Sequence, residues 1–307
     1  MDKKITVFGS FVVDLMARTP HLPVPGETVK GSVFKMGPGG KGFNQGVAAH
    51  KAGAKVSMIT KLGKDNFAGV ALDAMKDLKM DASKVFITED IETGIALITV
   101  DEITSQNEIV VVLGACNTIT DEEVESITDI VKESEYLLTQ LETNLSAIEK
   151  VIEIANKNGV KVILNTAPVQ PISDEVLKKV YLITPNEVEA EILSGICIDS
   201  EENAKKAAEW FFAKGVQNVL ITLGHRGVFI ATKERQEIIP AYKVNAIDTT
   251  GAGDAFNGGL VAAMAEGKDL WEAAKFANAL AAVAVQRLGT TPAMPTRAEI
   301  DEFIATH

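Results

Sequence analysis

The chain has 307 residues, of which 46% are apolar and 23% charged, with a net charge of −12 at pH 7. That length suits one large α/β unit with an appendage, or two average domains. The charge excludes nucleic acid and anionic membrane as partners unless a long basic patch exists, and the sequence has none.

Lys3 and Lys4 precede an apolar run, as in a secretory leader, but Asp14 interrupts it. "ITVFG" is expected as a first buried strand ending in a Gly9-Ser10 turn. That strand precedes a helix at about 43–52, and "KVSMITKLG" precedes one at about 66–79. "YLLTQLE" leads to 145–158, "KVILN" to a short helix near 173–179, and "VYLIT" to 186–194. "NVLITLG" follows a helix at 202–214. This rhythm predicts a mostly parallel sheet with helices on both faces.

Residues about 14–36 and about 92–114 break the rhythm, being strand-like with no helix between their runs. They are expected as antiparallel hairpins outside the main sheet, a small β lid inserted in a single domain of residues 1–307. Residues 252–286 are helical and alanine-rich, suited to close packing on the sheet. No run approaches the ~18 apolar residues of a membrane span. Cys116 and Cys197 are far apart, without metal-ligand spacing, and are expected as reduced thiols of a cytoplasmic protein.

Two glycine-rich loops carry the chemistry. "GPGGKGFNQG", Gly37 to Gly46, is not a Walker phosphate loop, which needs Ser or Thr directly after Gly-Lys to reach Mg2+. Gly42 stands there instead. "NAIDTTGAGDAFNGG" is the better anion site. Gly251 and Gly253 let backbone N–H groups converge, and a helix starting near Asp254 adds the positive end of its dipole. A carboxylate would repel phosphate, so Asp254 makes sense as a base that takes the proton of an attacking hydroxyl. By itself "GAGD" fits a tight turn and helix cap equally well.

Together, "DTTGAGDAFNGG", "GPGGKGFNQG" and "TPNEVEAEIL" resemble the ribokinase (PfkB) family of carbohydrate kinases. The resemblance runs from "GSFVVD" to "GTTPAMP", and "PGET" followed by "GGKGxNQ" is similar to the narrower ribokinase branch. It implies a ribokinase-like α/β fold, ATP as phosphoryl donor, Mg2+, and a monovalent cation activator, usually K+. It implies Asp254 as the catalytic base on the sugar's primary hydroxyl. The amides of Gly251, Ala252 and Gly253 would stabilise charge on the transferring phosphoryl group.

On the sugar side the matching positions are Val12, Asp14, Gly40, Lys41, Asn44 and Glu142. For ATP they are Asn186, the loop Thr222, Leu223, Gly224, His225, Arg226 and Gly227, then Gly253, and Asn278 beside the adenine. Glu189 would hold Mg2+ through water, in keeping with that ion's retained hydration. The K+ positions are Asp248, Thr250, Ala284, Arg287, Gly289 and Ala293, several acting through backbone carbonyls. Without the resemblance, a simple N-cap stays an alternative for Asn186 after Pro185, and Glu142 reads as an exposed loop acid.

Four positions depart from the family pattern. Val12 replaces an asparagine thought to lie near the sugar 2-hydroxyl, which points toward acceptance of 2-deoxyribose. Ala293 replaces a serine at the cation site. Phe43 stands where relatives often have alanine, filling core or narrowing the pocket. Cys116 replaces an asparagine whose role Asn117 could take.

The expected reaction is ATP plus D-ribose giving D-ribose 5-phosphate. Alternatives within the family are a kinase of 2-deoxyribose, another sugar or a nucleoside, and from another class a non-catalytic sugar-binding regulator. A dinucleotide-binding dehydrogenase is disfavoured, because "FGSFVVDL" and not G-x-G-x-x-G follows the first strand. A two-hairpin sheet leaving the main domain exposes a face, and a symmetric homodimer through the lid would bury it.

Overall fold

The computed structural model describes residues 3–104 and 106–307. Its strands are β1 (Lys4–Phe8), β2 (Val12–Thr19), β3 (Val33–Gly39), β4 (Lys55–Gly63), β5 (Val85–Thr88), β6 (Thr93–Asp101) and β7 (Asn107–Gly114). They continue with β8 (Tyr136–Thr139), β9 (Lys161–Leu164), β10 (Leu182–Ile183), β11 (Asn218–Thr222), β12 (Val228–Ala231) and β13 (Gln236–Ile239). The helices are α1 (Lys41–Lys51), α2 (Asn66–Asp77), α3 (Asp121–Ser126), α4 (Thr128–Lys132), α5 (Leu145–Lys157) and α6 (Asp174–Leu177). The rest are α7 (Glu187–Ser194), α8 (Glu201–Ala213), α9 (Ala252–Ala265), α10 (Leu270–Ala284) and α11 (Arg297–Thr306).

The main sheet has the order β13-β12-β11-β10-β9-β8-β1-β4-β5. From β5 to β11 every pairing is parallel, so helices must cover both faces. The period-two alternation of strand side chains divides the core accordingly. Ile5, Val7, Leu138, Ile163, Leu182 and Leu220 join one core with α1, α2, α9, α10 and α11. Phe8, Leu137, Val162, Leu164, Ile183 and Val219 join the other, beneath α3–α8. Small residues let the first layer pack tightly. A Cβ on Gly258 of α9 would lie 2.5 Å from both the Gln45 carbonyl oxygen and the Ala48 Cβ of α1. No helix among the described residues is long and apolar enough to cross a membrane.

The two rhythm-breaking stretches form a second sheet of order β3-β2-β6-β7. Each hairpin is antiparallel, as expected. The hairpins are joined by a parallel pairing of β2 with β6, from Val12↔Gly94 to Thr19↔Asp101, so the small sheet is mixed. The cause lies in the main sheet. β2 leaves the C-terminal end of β1 and β6 that of β5, and those two strands run the same way.

The antiparallel pair β12 and β13 at the other edge has no counterpart in the sequence reading. Its four-residue runs are too short to show a period. α9 starts at Ala252, the first residue of the expected alanine-rich helical stretch, with Gly251 (φ 75°) as its N-cap. Asp254 is therefore the third residue of the helix.

Candidate active site

The chemistry-bearing residues gather at the C-terminal ends of β1, β8, β9 and β10, where open parallel sheets place their ligands. Asp254 sits there on the first turn of α9, 7% exposed. Its Oδ2 accepts a hydrogen bond from Asn44 Nδ2 and its Oδ1 one from Gln45 Nε2, each at 3.0 Å. Both donors come from α1, brought close by Gly258.

Burial pushes the Asp254 carboxyl above its ordinary range. Lys41 and the two amide donors oppose the shift, and Glu142 adds to it. Burial likewise acts to lower the Lys41 ammonium, but the carboxylates of Asp254, Glu142 and Glu189 outweigh it and leave it raised. Lys41 therefore stays cationic among three acids.

Glycine is required at the start of α1. Gly40 has φ 90°, and a Cβ there would meet the Phe11 Cα and Val12 N at 2.9 Å. Asp14, on β2, lies across Gly39: a Cβ on that glycine would stand 2.2 Å from Asp14 Oδ1. Burial lifts Asp14 to about 6, against the hydrogen bond from Thr290 and with Glu142 and Asp254 contributing. Glu142 is 7% exposed and accepts from Ser10 Oγ at 2.5 Å and from the Lys41 amide at 2.7 Å. Val12 shares the Asp14 face of β2 and packs over Gly94, where a Cβ would stand 2.9 Å from Val12 Cγ1. Phe43 is fully buried and stacks edge-on against Phe11, so it fills core.

At the head of α9 the Ala252 amide donates to the Thr249 carbonyl at 3.2 Å. The amides of Gly251 and Gly253 have no hydrogen-bond partner among the described residues. With the helix dipole they can bind an anion.

Asn186 is the N-cap of α7 and forms a capping box with Glu189. Glu189 accepts from Thr166 Oγ1 at 2.9 Å, from the Asn186 amide and from Asn186 Nδ2, both at 3.0 Å. A carboxylate offers about four acceptor sites, so one remains for an ion's water. Among the described residues no cluster of three or more His, Cys, Asp or Glu could hold a metal directly. The residues fit a hydrated Mg2+ carried with the nucleotide phosphates.

For the nucleotide positions, Thr222 bridges to Asn186, Leu223 is buried, and Gly224–Arg226 form one 3-10 turn before Gly227 (φ 103°). The Arg226 guanidinium pairs with Glu187 and donates to the Ile198 carbonyl at 3.0 Å. It ties the loop to the scaffold, while His225 is exposed. Asn278 is buried on α10 and donates to the Pro240 carbonyl at 3.2 Å.

The cation positions also converge. Asp248 accepts from the Thr250 amide with Oδ1 and from the Gly289 amide with Oδ2, each at 2.9 Å. The Ile247 and Asp248 amides both donate to the Val285 carbonyl. Ala284, Arg287 and Ala293 lie in the same 284–293 segment. The Arg287 guanidinium pairs with Glu299 at 2.6 Å and Ala293 is buried; neither side chain carries an oxygen, so these positions could contribute only backbone carbonyls. Asp248, Thr250 and the 284–293 segment are thus held together in one corner, a candidate site for a monovalent cation.

Sequence reasoning passed over Ser10, Gln45, Thr290 and Thr291. Thr291 Oγ1 donates to Asn44 Oδ1 at 2.7 Å and Thr290 Oγ1 to Asp14 Oδ2 at 3.3 Å. Each lies inside a quoted motif, but polar residue type alone does not reveal a partner more than 100 positions away.

The chain's likeness to known proteins agrees with this geometry. The pfkB family carbohydrate kinase profile matches residues 2–297. A ribokinase of Haemophilus influenzae is 43% identical over 304 residues, covering 99% of each chain. A deoxyribokinase of Salmonella typhi is 34% identical over 302 residues, covering 98% of each. The solved Arabidopsis thaliana ribokinase complexed with ribose and ATP superposes with a TM-score of 0.91 at 29% identity over 99% of each chain. With a profile match over nearly its whole length and full-length relatives at 34–43% identity, the chain belongs to the pfkB family of carbohydrate kinases.

Proposed function

We propose that the chain transfers the γ-phosphoryl group of ATP to the 5-hydroxyl of D-ribose, giving ADP and D-ribose 5-phosphate. The observation that carries the reading is Asp254, buried between sugar-side Asn44 and the head of α9. As the hydroxyl attacks, its proton passes to the Asp254 carboxylate, the O5–Pγ bond forms, and the bond from Pγ to the β-phosphate oxygen breaks. Asp14, Asn44 and Glu142 orient the polyol, and the Gly251 and Gly253 amides face the developing phosphoryl charge. Positioning and electrostatics supply most of the rate in such transfers. Burial raises the Asp254 carboxyl, which strengthens it as a proton acceptor. Mg2+ would be held by the ATP phosphates and a water on Glu189, and K+ by the Asp248, Thr250 and 284–293 corner.

The mixed sheet supports a lid and a homodimer. It exposes Phe34, Met36, Leu97, Val110, Val111 and Val112 on one structure small enough to pair with its symmetry copy. Its β2 carries Asp14, so movement of the sheet would open or close the sugar corner and limit wasteful ATP hydrolysis.

A second reading, preference for 2-deoxyribose, is favoured by Val12, which cannot bond a 2-hydroxyl. One of the similar relatives is itself a deoxyribokinase. A panel of sugars in an ADP-release assay decides. ADP formed with ribose supports the first reading, selective turnover of deoxyribose the second, and no sugar-dependent ADP refutes both.

A further inference from the structure

We infer that Gln45 is a positioning residue. It fixes the carboxylate of Asp254 through a closed ring of hydrogen bonds running from α9 through α1, β9 and β10 and back to α9. The inference rests on the reading of Asp254 as the base.

Gln45 is fully buried, so it touches no sugar and acts only through its neighbours. Its Nε2 donates to both Asp254 Oδ1 and Asn165 Oδ1 at 3.0 Å. Asn165 Nδ2 donates to the Thr184 carbonyl at 2.8 Å, and Thr184 Oγ1 donates to Asn257 Oδ1 at 2.6 Å. Asn257 Nδ2 then donates to the carbonyl of Gly253, the residue before Asp254, at 2.9 Å. The base is held at its side chain and at its adjoining backbone by one circuit.

The circuit has a single polarity. Carbonyl oxygens can only accept, so Thr184 and Gly253 set which way the Asn165 and Asn257 amides face. Asn165 Oδ1 must then receive a donor, and an ionised Asp254 must as well. Gln45 therefore has to present its NH2 to both, and its Oε1 takes Gln140 Nε2 at 2.7 Å. The cost appears at the outer end, where buried Gln140 Oε1 has no partner among the described residues. The imperfection lies two residues' reach from the reacting centre instead of on the base.

Asn44 and Gln45 are consecutive, and each holds a different oxygen of Asp254. The carboxylate plane is thus fixed against rotation. The charged groups around it are Lys41 from α1, Glu142 from the loop after β8, and Asp14 from β2. Against that background the Gln45 donor favours the ionised form, as hydrogen bonding to an anion does.

The test compares Gln45→Met, Gln45→Glu and Asp254→Asn in the intact chain, by steady-state kinetics across pH with thermal melts. Gln45→Met keeps the length and removes the donor. Its kcat should fall about 10²-fold, the loss typical of a misplaced reacting group. KM for ribose and ATP should stay within about threefold, and the acid limb of kcat/KM should move to higher pH. If Gln45→Met fails to fold, Gln45→Glu carries the test, and a second acid against Asp254 must move the same limb upward. An unmoved acid limb and unchanged kcat, with Asp254→Asn inactive, overturn the role of Gln45 and leave the base intact. Normal turnover in Asp254→Asn overturns the base and the inference with it.

Discussion

Thr290 and Asp14 stand 276 positions apart and meet through a 3.3 Å hydrogen bond. It links the small sheet to the segment that carries the cation corner. Because Asp14 is lifted to about 6, sugar binding should weaken as pH falls through that value, when the carboxylate loses its acceptor character. Thr290→Val, without the donor, should shift the apparent pKa of kcat/KM for the sugar upward. A pH profile of both proteins checks this.

The same group makes a stability prediction. The folded Asp14 binds a proton more readily than the ordinary carboxyl at 3.8. Between about 4 and 6 the folded state therefore holds more protons than the unfolded one, and stability contributed by Asp14 declines as pH rises through that window. In Asp14→Asn this decline should vanish, giving a variant more stable than the parent at pH 7, relative to pH 4, but with a raised sugar KM. Urea unfolding at the two pH values measures it.

Asp254→Asn should lose at least about 10²-fold in kcat, the usual contribution of general-base assistance. Single-turnover ADP formation reads the loss directly. Near-parental turnover would remove Asp254 from the mechanism.

Val12 should make the pocket tolerant at the sugar's second carbon. The ribose-to-deoxyribose ratio of kcat/KM should stay below about 10³, since a pocket without a polar partner cannot reject the deoxy analogue strongly. Val12→Asn should raise that ratio by about tenfold, one hydrogen bond's worth. A ratio unmoved by the substitution would show that this face does not contact the 2-hydroxyl.

Turnover should rise when K+ replaces a large organic cation such as tetramethylammonium. Asp248→Ala should abolish the stimulation, because its two oxygens brace the 250 and 289 backbones. Equal rates in both salts would refute a cation site.

Cys116 should behave as structure, not as a reactive thiol. It accepts from the Phe11 amide at 3.2 Å and donates toward the Phe11 and Lys61 carbonyls, bracing the turn that carries Ser10 and Val12. Burial raises its pKa. Cys116→Ala leaves the Phe11 amide buried without an acceptor and should cost about 1–3 kcal/mol. A thiol reagent should label exposed Cys197 alone in the folded protein.

What was legible in the amino-acid order was local. The βα rhythm, the helix expected at 145–158 and the glycine-rich turns follow from periodicity and backbone freedom within about ten residues. Asp254 stood out as a carboxylate in a glycine-rich anion loop, whereas Asn44 came only from the resemblance to the ribokinase family.

Tertiary structure alone decided the rest. Gln45 looks like any polar helix residue until α9, admitted by Gly258, brings Asp254 to it across 209 positions. Ser10 becomes a partner of Glu142 only when β1 and β8 pair. The parallel join of the two hairpins follows from the shared direction of β1 and β5, which no short segment encodes. Local patterns record which conformations a segment prefers. Which distant polar groups complete one another depends on how the layers pack, and that is settled by the whole chain at once.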